Sequence, residues 1–196
     1  MKKRIIHSLQ NFILLTATVS MLIAVAEWSV RALALNDNVE TLDKDGRPIY
    51  VPDEELGYAL RPNATAVLRR HEFSINIHTN SHGYRDEEFV ADPNAFVIVG
   101  MGDSFAWGHG VEQDESFFEV AERRLRKRHG NVRIHNLAVS GYAQLQHRNQ
   151  VNFAKELGAK VLVVAFCIAN DVLENGALIV RSVNDEGVRK NYRHEG

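Results

Sequence analysis

Three short apolar runs, separated by two amphipathic stretches, dominate the second half of the chain. The runs are rich in β-branched residues and cover 95–100, 132–139 and 161–168. Runs of this length and composition predict buried strands. The stretches between them, 116–129 and 142–157, carry apolar residues at helical spacing, and each is followed by a glycine. Strands that alternate with helices of this length predict βαβ units and a parallel sheet.

The segment from residue 35 to residue 94 is polar and has no helical periodicity. Within it, Phe73, Ile75, Ile77 and Thr79 alternate with polar residues, a pattern that predicts a half-buried strand. Residues typical of turns precede and follow this strand. We therefore expect an extension with β-hairpin character in front of the α/β domain.

The amino terminus combines a basic start, Lys2–Arg4, with an apolar run of 15 residues, Phe12–Ala26. This pattern predicts a signal peptide or a signal anchor. A helix of that length covers about 22 Å, short of the roughly 30 Å hydrocarbon core, so the run alone is a marginal span. Trp28 favours an uncleaved anchor, whereas Ala32–Ala34 matches a cleavage site. We expect a membrane anchor with the domain outside the cytoplasm (periplasmic or extracellular), or secretion after cleavage as the alternative.

Composition narrows the class of protein. Of the 196 residues, 45% are hydrophobic and 24% are charged, as in ordinary globular proteins. A net charge of −2 gives no reason to expect nucleic acid as a partner. The single cysteine, Cys167, excludes an internal disulfide framework, and we expect it to be buried in the third apolar run. The predicted organisation is a signal segment (1–34), an extension (35–94) and a partial α/β domain (95–196).

A serine, a glycine and an asparagine follow the three predicted strands. They are Ser104, Gly141 and Asn170. Right-handed crossovers bring the carboxyl ends of such strands to one edge of the sheet, where these folds place their chemistry. Serine acyl transfer needs a nucleophile, a base and oxyanion donors. Ser104 is the candidate nucleophile, and its own N–H, the N–H of Gly141 and the Asn170 amide are the candidate donors.

Each of these residues by itself is also typical of a helix cap or a turn, and only their combination favours a site. Asp103, directly before the serine, more plausibly bonds to backbone groups and fixes the turn than acts as an acid or base.

These residues carry a resemblance to a known family. Gly102–Ser104 resembles the first block of the SGNH (GDSL-type) serine hydrolases, and Asn136–Gly141 resembles the second. Ile168–Asp171 is similar to the third block, Gly-x-Asn-Asp, with isoleucine where the family has glycine. The resemblance implies a flavodoxin-like three-layer α/β/α sandwich with a parallel sheet and a serine acyl-enzyme mechanism. Two extension motifs, Leu56–Tyr58 and Asn80–Arg85, look like those that precede the domain in membrane-anchored members.

The family takes its catalytic base from an Asp-x-x-His block near the end of the domain. No such spacing follows Asn170, because His194, the one histidine there, has Asn191 three positions before it. No residue is therefore assigned as the base. Three strands and two helices also make a thin sheet, so we expect the domain to be incomplete at its carboxyl end and the chain to be the amino-terminal part of a longer protein.

The resemblance implies a hydrolase that cleaves acyl esters in a small-molecule or glycan substrate of the cell envelope or another extracytoplasmic site. An O-acyltransferase for an envelope polysaccharide and a non-catalytic module of the same fold remain as alternatives. No metal or organic cofactor is implied. His78 and His82 lack a third ligand, and Phe105 stands where a dinucleotide-binding loop needs glycine.

Overall fold

The computed structural model divides the chain into two compact units, Met1–Val39 and Glu40–Gly196. The residues that the structure describes are 2–34, 41–70, 72–168, 179–183 and 189–193.

The first unit contains one long helix, α1 (Lys2–Ala34). Its apolar part, Gln10–Ser29, has 20 residues, which corresponds to about 30 Å of helix. This stretch is longer than the 15-residue run alone, because the helix continues through the residues that flank that run. Hydroxyl groups within it are satisfied internally, as Thr16 donates to the Phe12 carbonyl at 2.9 Å. By length and composition, α1 suits a membrane span or a signal sequence.

The second unit holds four pairs or groups of strands and three α-helices within the described residues. In chain order its elements are β1 (Tyr50–Asp53), β2 (Gly57–Leu60), β3 (Thr65–Arg69), β4 (Ser74–His78), β5 (Phe96–Gly102), α2 (Ser104–Trp107), α3 (Phe117–His129), β6 (Val132–Asn136), α4 (Gln144–Glu156), β7 (Val161–Ala165), β8 (Ile179–Val183) and β9 (Arg189–Arg193).

The central feature of this unit is a parallel three-stranded sheet with the order β6-β5-β7. Gly100 of β5 is opposite Asn136 of β6, and Gly102 is opposite Ala165 of β7. The mixed α/β class and the parallel sheet that the sequence predicts are thus confirmed. Since β5 is the central strand, β6 pairs with one of its edges and β7 pairs with the other.

Helix α3 packs closely on the central strand because that strand has glycine at the contact. The ring of Phe118 lies directly over Gly100, and a methyl group there would overlap the ring. Gly102 is similarly close to Ala106 of α2 and Ala165 of β7. These two glycines let the helices approach the carboxyl half of β5.

The predicted burial of the third strand is wrong. Val161–Val164 of β7 are 39–45% exposed, because within the described residues β7 is an edge strand paired with β5 alone. Phe96, at the start of β5, is also 49% exposed. Cys167 lies beyond the end of β7 and is half-buried, not enclosed in a strand as predicted. An apolar run predicts a strand well, but it does not say how many neighbours cover that strand.

The extension forms two antiparallel hairpins, β1–β2 and β3–β4. In β4, Ile75 and Ile77 are buried while the residues between them are exposed, as the alternating pattern predicts. A third antiparallel pair, β8–β9, has its first strand against β1 and β2. The hairpins and the parallel sheet belong to the same compact unit.

Candidate active site

Ser104 and Gly141 follow neighbouring strands of the sheet. The chain beyond β6 continues along the end of β5, since Val139 N–H donates to the Gly102 carbonyl at 3.3 Å. Ser104 is two residues past that same carbonyl. Because β6 and β7 lie on opposite sides of β5, this edge is the point where the connections diverge. Open parallel sheets bind their ligands in the crevice at such a point.

Ser104 is half-buried and is the first residue of the short helix α2. Asp103 caps that helix, as its Oδ1 accepts a hydrogen bond from the Phe105 N–H at 3.0 Å. The side chain of Asp103 is buried, and within the described part of the chain its Oδ2 has no hydrogen-bond partner. The serine is thus presented on a tight strand-to-helix turn that the preceding carboxylate holds in shape.

Gly141 lies in a buried loop between β6 and α4 and has a φ of +89°. That conformation favours glycine, since a side chain there is strained. The loop is held by two tyrosines. The Tyr58 hydroxyl donates to the Ser140 carbonyl at 2.8 Å, and the Tyr142 hydroxyl donates to the Tyr58 carbonyl at 2.6 Å. Burial raises the pKa of Tyr142 well above its ordinary value, so its hydroxyl stays protonated and remains a donor.

Asn136, the last residue of β6, connects the serine helix to the glycine loop. Its Nδ2 donates to the Ala106 carbonyl in α2 at 3.1 Å. Its Oδ1 accepts a hydrogen bond from the Ala138 N–H at 3.0 Å, at the start of the loop. One buried amide therefore fixes the distance between the two segments that carry Ser104 and Gly141.

Arg85, a residue of the extension, is bonded to the carboxyl end of α2. It is 2% exposed, and its guanidinium lies 4.9 Å from the centroid of the Trp107 ring. Its guanidinium donates four hydrogen bonds, and the acceptors are the carbonyl oxygens of Asn76, Trp107, Gly108 and Val111. Burial lowers the pKa of Arg85. The extension is in this way bonded to the turn that follows the serine.

Buried Asp86 and half-buried Glu119 form a pair of carboxyl groups beside Asn136. Asp86 Oδ2 accepts a hydrogen bond from the Asn136 N–H at 2.7 Å. Burial raises the pKa of Asp86 well above its ordinary value, and the neighbouring charge of Glu119 raises it further. Burial raises the pKa of Glu119 as well. Both pKa values move in the same direction, so the pair favours a bound proton at pH values where free carboxylates have lost theirs.

Replacing Glu119 with glutamine should flatten the pH dependence of stability. In the wild-type protein the unfolded chain releases the proton of the pair at a lower pH than the folded protein does. Stability from this pair is therefore full below the ordinary carboxyl pKa and falls as pH rises through the raised value, by up to about 1.4 kcal/mol per pH unit for each proton. Denaturant unfolding of E119Q between pH 4 and pH 8 checks this expectation.

The exposed Glu156→Gln is the control for that series, since it removes a carboxylate of the same type from the surface of α4. Its stability should follow the wild-type pH profile, because contributions from the other carboxyl groups are common to all three proteins. An E119Q profile parallel to that of the wild type would show that the pair does not hold a proton.

The third expected oxyanion donor and the catalytic base are not identified at this edge among the described residues. Asn170 lies outside the described residues. Among the described histidines, none is hydrogen-bonded to the Ser104 hydroxyl. The backbone N–H of His109 donates to the Ser104 carbonyl at 2.9 Å. The ring of His135 packs on Phe89 instead. The described residues contain no cluster of His, Cys, Asp or Glu suited to a metal ion.

No role was assigned from the sequence to three residues whose hydrogen bonds hold the segments around Ser104 and Gly141. Tyr58 and Arg85 belong to the extension motifs, and Asn136 opens the second block. Their presence in those motifs was the available signal, but most of their partners lie 9 to 84 positions away and follow no local spacing. The chain matches no family model and no curated protein.

Proposed function

We propose that the protein is an SGNH-type serine hydrolase that cleaves acyl esters, with Ser104 as the nucleophile. The observation that carries this proposal is the position of Ser104 and Gly141 just after neighbouring strands, at the edge where the connections diverge, each on a turn held by hydrogen bonds. The strand order β6-β5-β7 corresponds to the first three strands of a flavodoxin-like sheet, which supports the finer fold assignment.

In the proposed reaction, the Ser104 oxygen attacks the acyl carbon and the carbonyl oxygen becomes an oxyanion. The N–H groups of Ser104 and Gly141 and the side-chain amide of Asn170 donate to that oxygen. The serine proton passes through a base, to which no residue is assigned, and on to the leaving alcohol as the carbon–oxygen bond breaks. Water then attacks the acyl-enzyme, releases the acid and restores the serine.

Helix α1 supports a location at the membrane with the site outside the cytoplasm, or export after cleavage. An ester of the cell envelope is then the proposed substrate, on a small molecule or a glycan. A polysaccharide hydroxyl in place of water would make the same acyl-enzyme an acyltransferase.

The Ser104→Ala variant tests the proposal. Release of p-nitrophenol from p-nitrophenyl butyrate by the full chain in detergent should fall by about 10³-fold or more, because no other group replaces the nucleophile. The exposed Ser74→Ala, on β4, is the control and should keep wild-type turnover. Turnover that survives in S104A, or a folded wild-type protein without turnover, would contradict the proposal. Acyl transfer to an added glycan in preference to water identifies the transferase alternative.

A further inference from the structure

The peptide bond between Ser140 and Gly141 joins two groups with different tasks. Its carbonyl, on Ser140, accepts the Tyr58 hydroxyl at 2.8 Å. Its N–H, on Gly141, is the proposed oxyanion donor. The bond is trans, and in a planar trans peptide the C=O and N–H point in opposite directions. Whatever fixes the carbonyl therefore also fixes where the N–H points.

The conformational preference of glycine alone does not fix that direction at position 141. Rotation of a peptide plane changes ψ of the residue before it and φ of the residue after it. Glycine populates positive and negative φ about equally, so a flip of this plane meets little steric resistance from Gly141. A flip would turn the N–H away and present the Ser140 carbonyl oxygen to the developing negative charge.

Tyr58 is well placed to prevent the flip, because it is itself immobilised. Its side chain is completely buried and packs edge-on against the Tyr142 ring, with centroids 5.3 Å apart. Its own carbonyl is bound by the Tyr142 hydroxyl. The turn just before it is tied to α4, since Gln146 Nε2 donates to the Leu56 carbonyl at 3.2 Å.

We propose that Tyr58 is a positioning residue for the oxyanion site: its hydroxyl holds the Ser140–Gly141 peptide so that the Gly141 N–H faces the acyl oxygen. This inference rests on the proposed function. It gives the extension a part in the chemistry, since a hydroxyl from β2 determines the direction of a donor in the α/β domain. Loss of one oxyanion donor costs about 10²–10³ in turnover, which sets the upper limit of the effect.

The test combines a spectroscopic measurement of the peptide with a rate. Ser-Gly occurs once in the sequence, at 140–141, so protein labelled with ¹³C-carbonyl serine and ¹⁵N glycine gives one carbonyl-correlated amide signal. Tyr58→Phe keeps the ring and removes the hydroxyl. We expect its Ser140–Gly141 signal to shift or split, and phosphonylation of Ser104 by a fluorophosphonate to slow by about 10-fold to 10²-fold.

Two further variants make the comparison specific. Tyr142→Phe keeps the bond from the Tyr58 hydroxyl to Ser140 but removes the bond from the Tyr142 hydroxyl to the Tyr58 carbonyl. It should give a smaller change in the same signal. If Tyr58→Phe does not fold, Tyr142→Phe is the variant that tests the inference. Tyr84→Phe removes another buried hydroxyl, one that bonds to Gln150, and should leave both the signal and the rate near their wild-type values.

The outcomes separate this inference from the proposed function. An unchanged Ser140–Gly141 signal and an unchanged rate in Tyr58→Phe overturn the inference and leave the proposed function intact. A wild-type protein whose Ser104 is not phosphonylated overturns the proposed function, and with it the chemical role of Tyr58, whatever the peptide signal does.

Discussion

The Arg85→Met variant should lose about 2–4 kcal/mol of its free energy of unfolding. Methionine fills a similar volume and avoids burying a charge, which by itself would favour the variant. The carbonyls of Trp107, Gly108, Val111 and Asn76 remain, however, and lose the donor that they share. The loss of four hydrogen bonds outweighs the relief of desolvation, because the bonds to Trp107 and Gly108 are buried and those to Asn76 and Val111 are partly buried.

Trp107 makes this prediction measurable at the site itself. The Arg85 guanidinium packs on its ring, so the fluorescence of Trp107 should change in the variant even before denaturant is added. The exposed Arg69→Met, on β3, is the matched control and should alter stability by less than about 0.5 kcal/mol. Arg85→Lys should be intermediate, since an ammonium group has three donors and cannot reach four carbonyls in one plane. Equal stability of the wild type and Arg85→Met would show that the carbonyls find other donors.

The Asn136→Ala variant should lose both stability and activity. Alanine leaves the Ala106 carbonyl and the Ala138 N–H without their buried partner, at a cost of about 2–4 kcal/mol. It also removes the link that sets the position of Ser104 relative to Gly141. Since small displacements of reacting groups can cost about 10²-fold in rate, ester turnover should fall by more than the unfolded fraction explains.

Asn131→Ala is the control for this variant. Asn131 is the same residue type five positions earlier, and its side chain bonds to Asp92 at the surface at 2.7 Å. Its loss should cost less than about 1 kcal/mol and leave turnover unchanged. Turnover is measured at a temperature where both variants are folded by circular dichroism. Full activity of folded Asn136→Ala would show that the amide does not position the site.

Local patterns in the sequence predict where the helices and strands of this protein lie. They predict less well which other elements pack against them. Alternation in β4 reflects one buried face, which is a property of a few neighbouring residues. The exposure of Val161–Val164 could not be predicted in this way, because it depends on which elements lie beside β7. The short helix α2 was missed for another reason, since four residues are too few to show a period.

The positions of Ser104 and Gly141 after successive strands were evident from the sequence, because strand ends in parallel sheets share an edge. The groups that hold them were not. A buried arginine breaks the usual preference for exposed charge, and nothing in the residues near Arg85 indicates that carbonyls from two other segments surround it. The bond from Tyr58 to Ser140 likewise joins residues 82 positions apart, which only the folded chain brings together.

Covalent labelling of Ser104 tests the central claim most directly. The full chain is treated with a fluorophosphonate, its intact mass is measured and the modified peptide is mapped, with Ser104→Ala treated in parallel. We predict one adduct per chain, on Ser104, and none in the alanine variant. A folded protein that gains no mass, or an adduct that persists in Ser104→Ala, would contradict the assignment of Ser104 as an activated nucleophile.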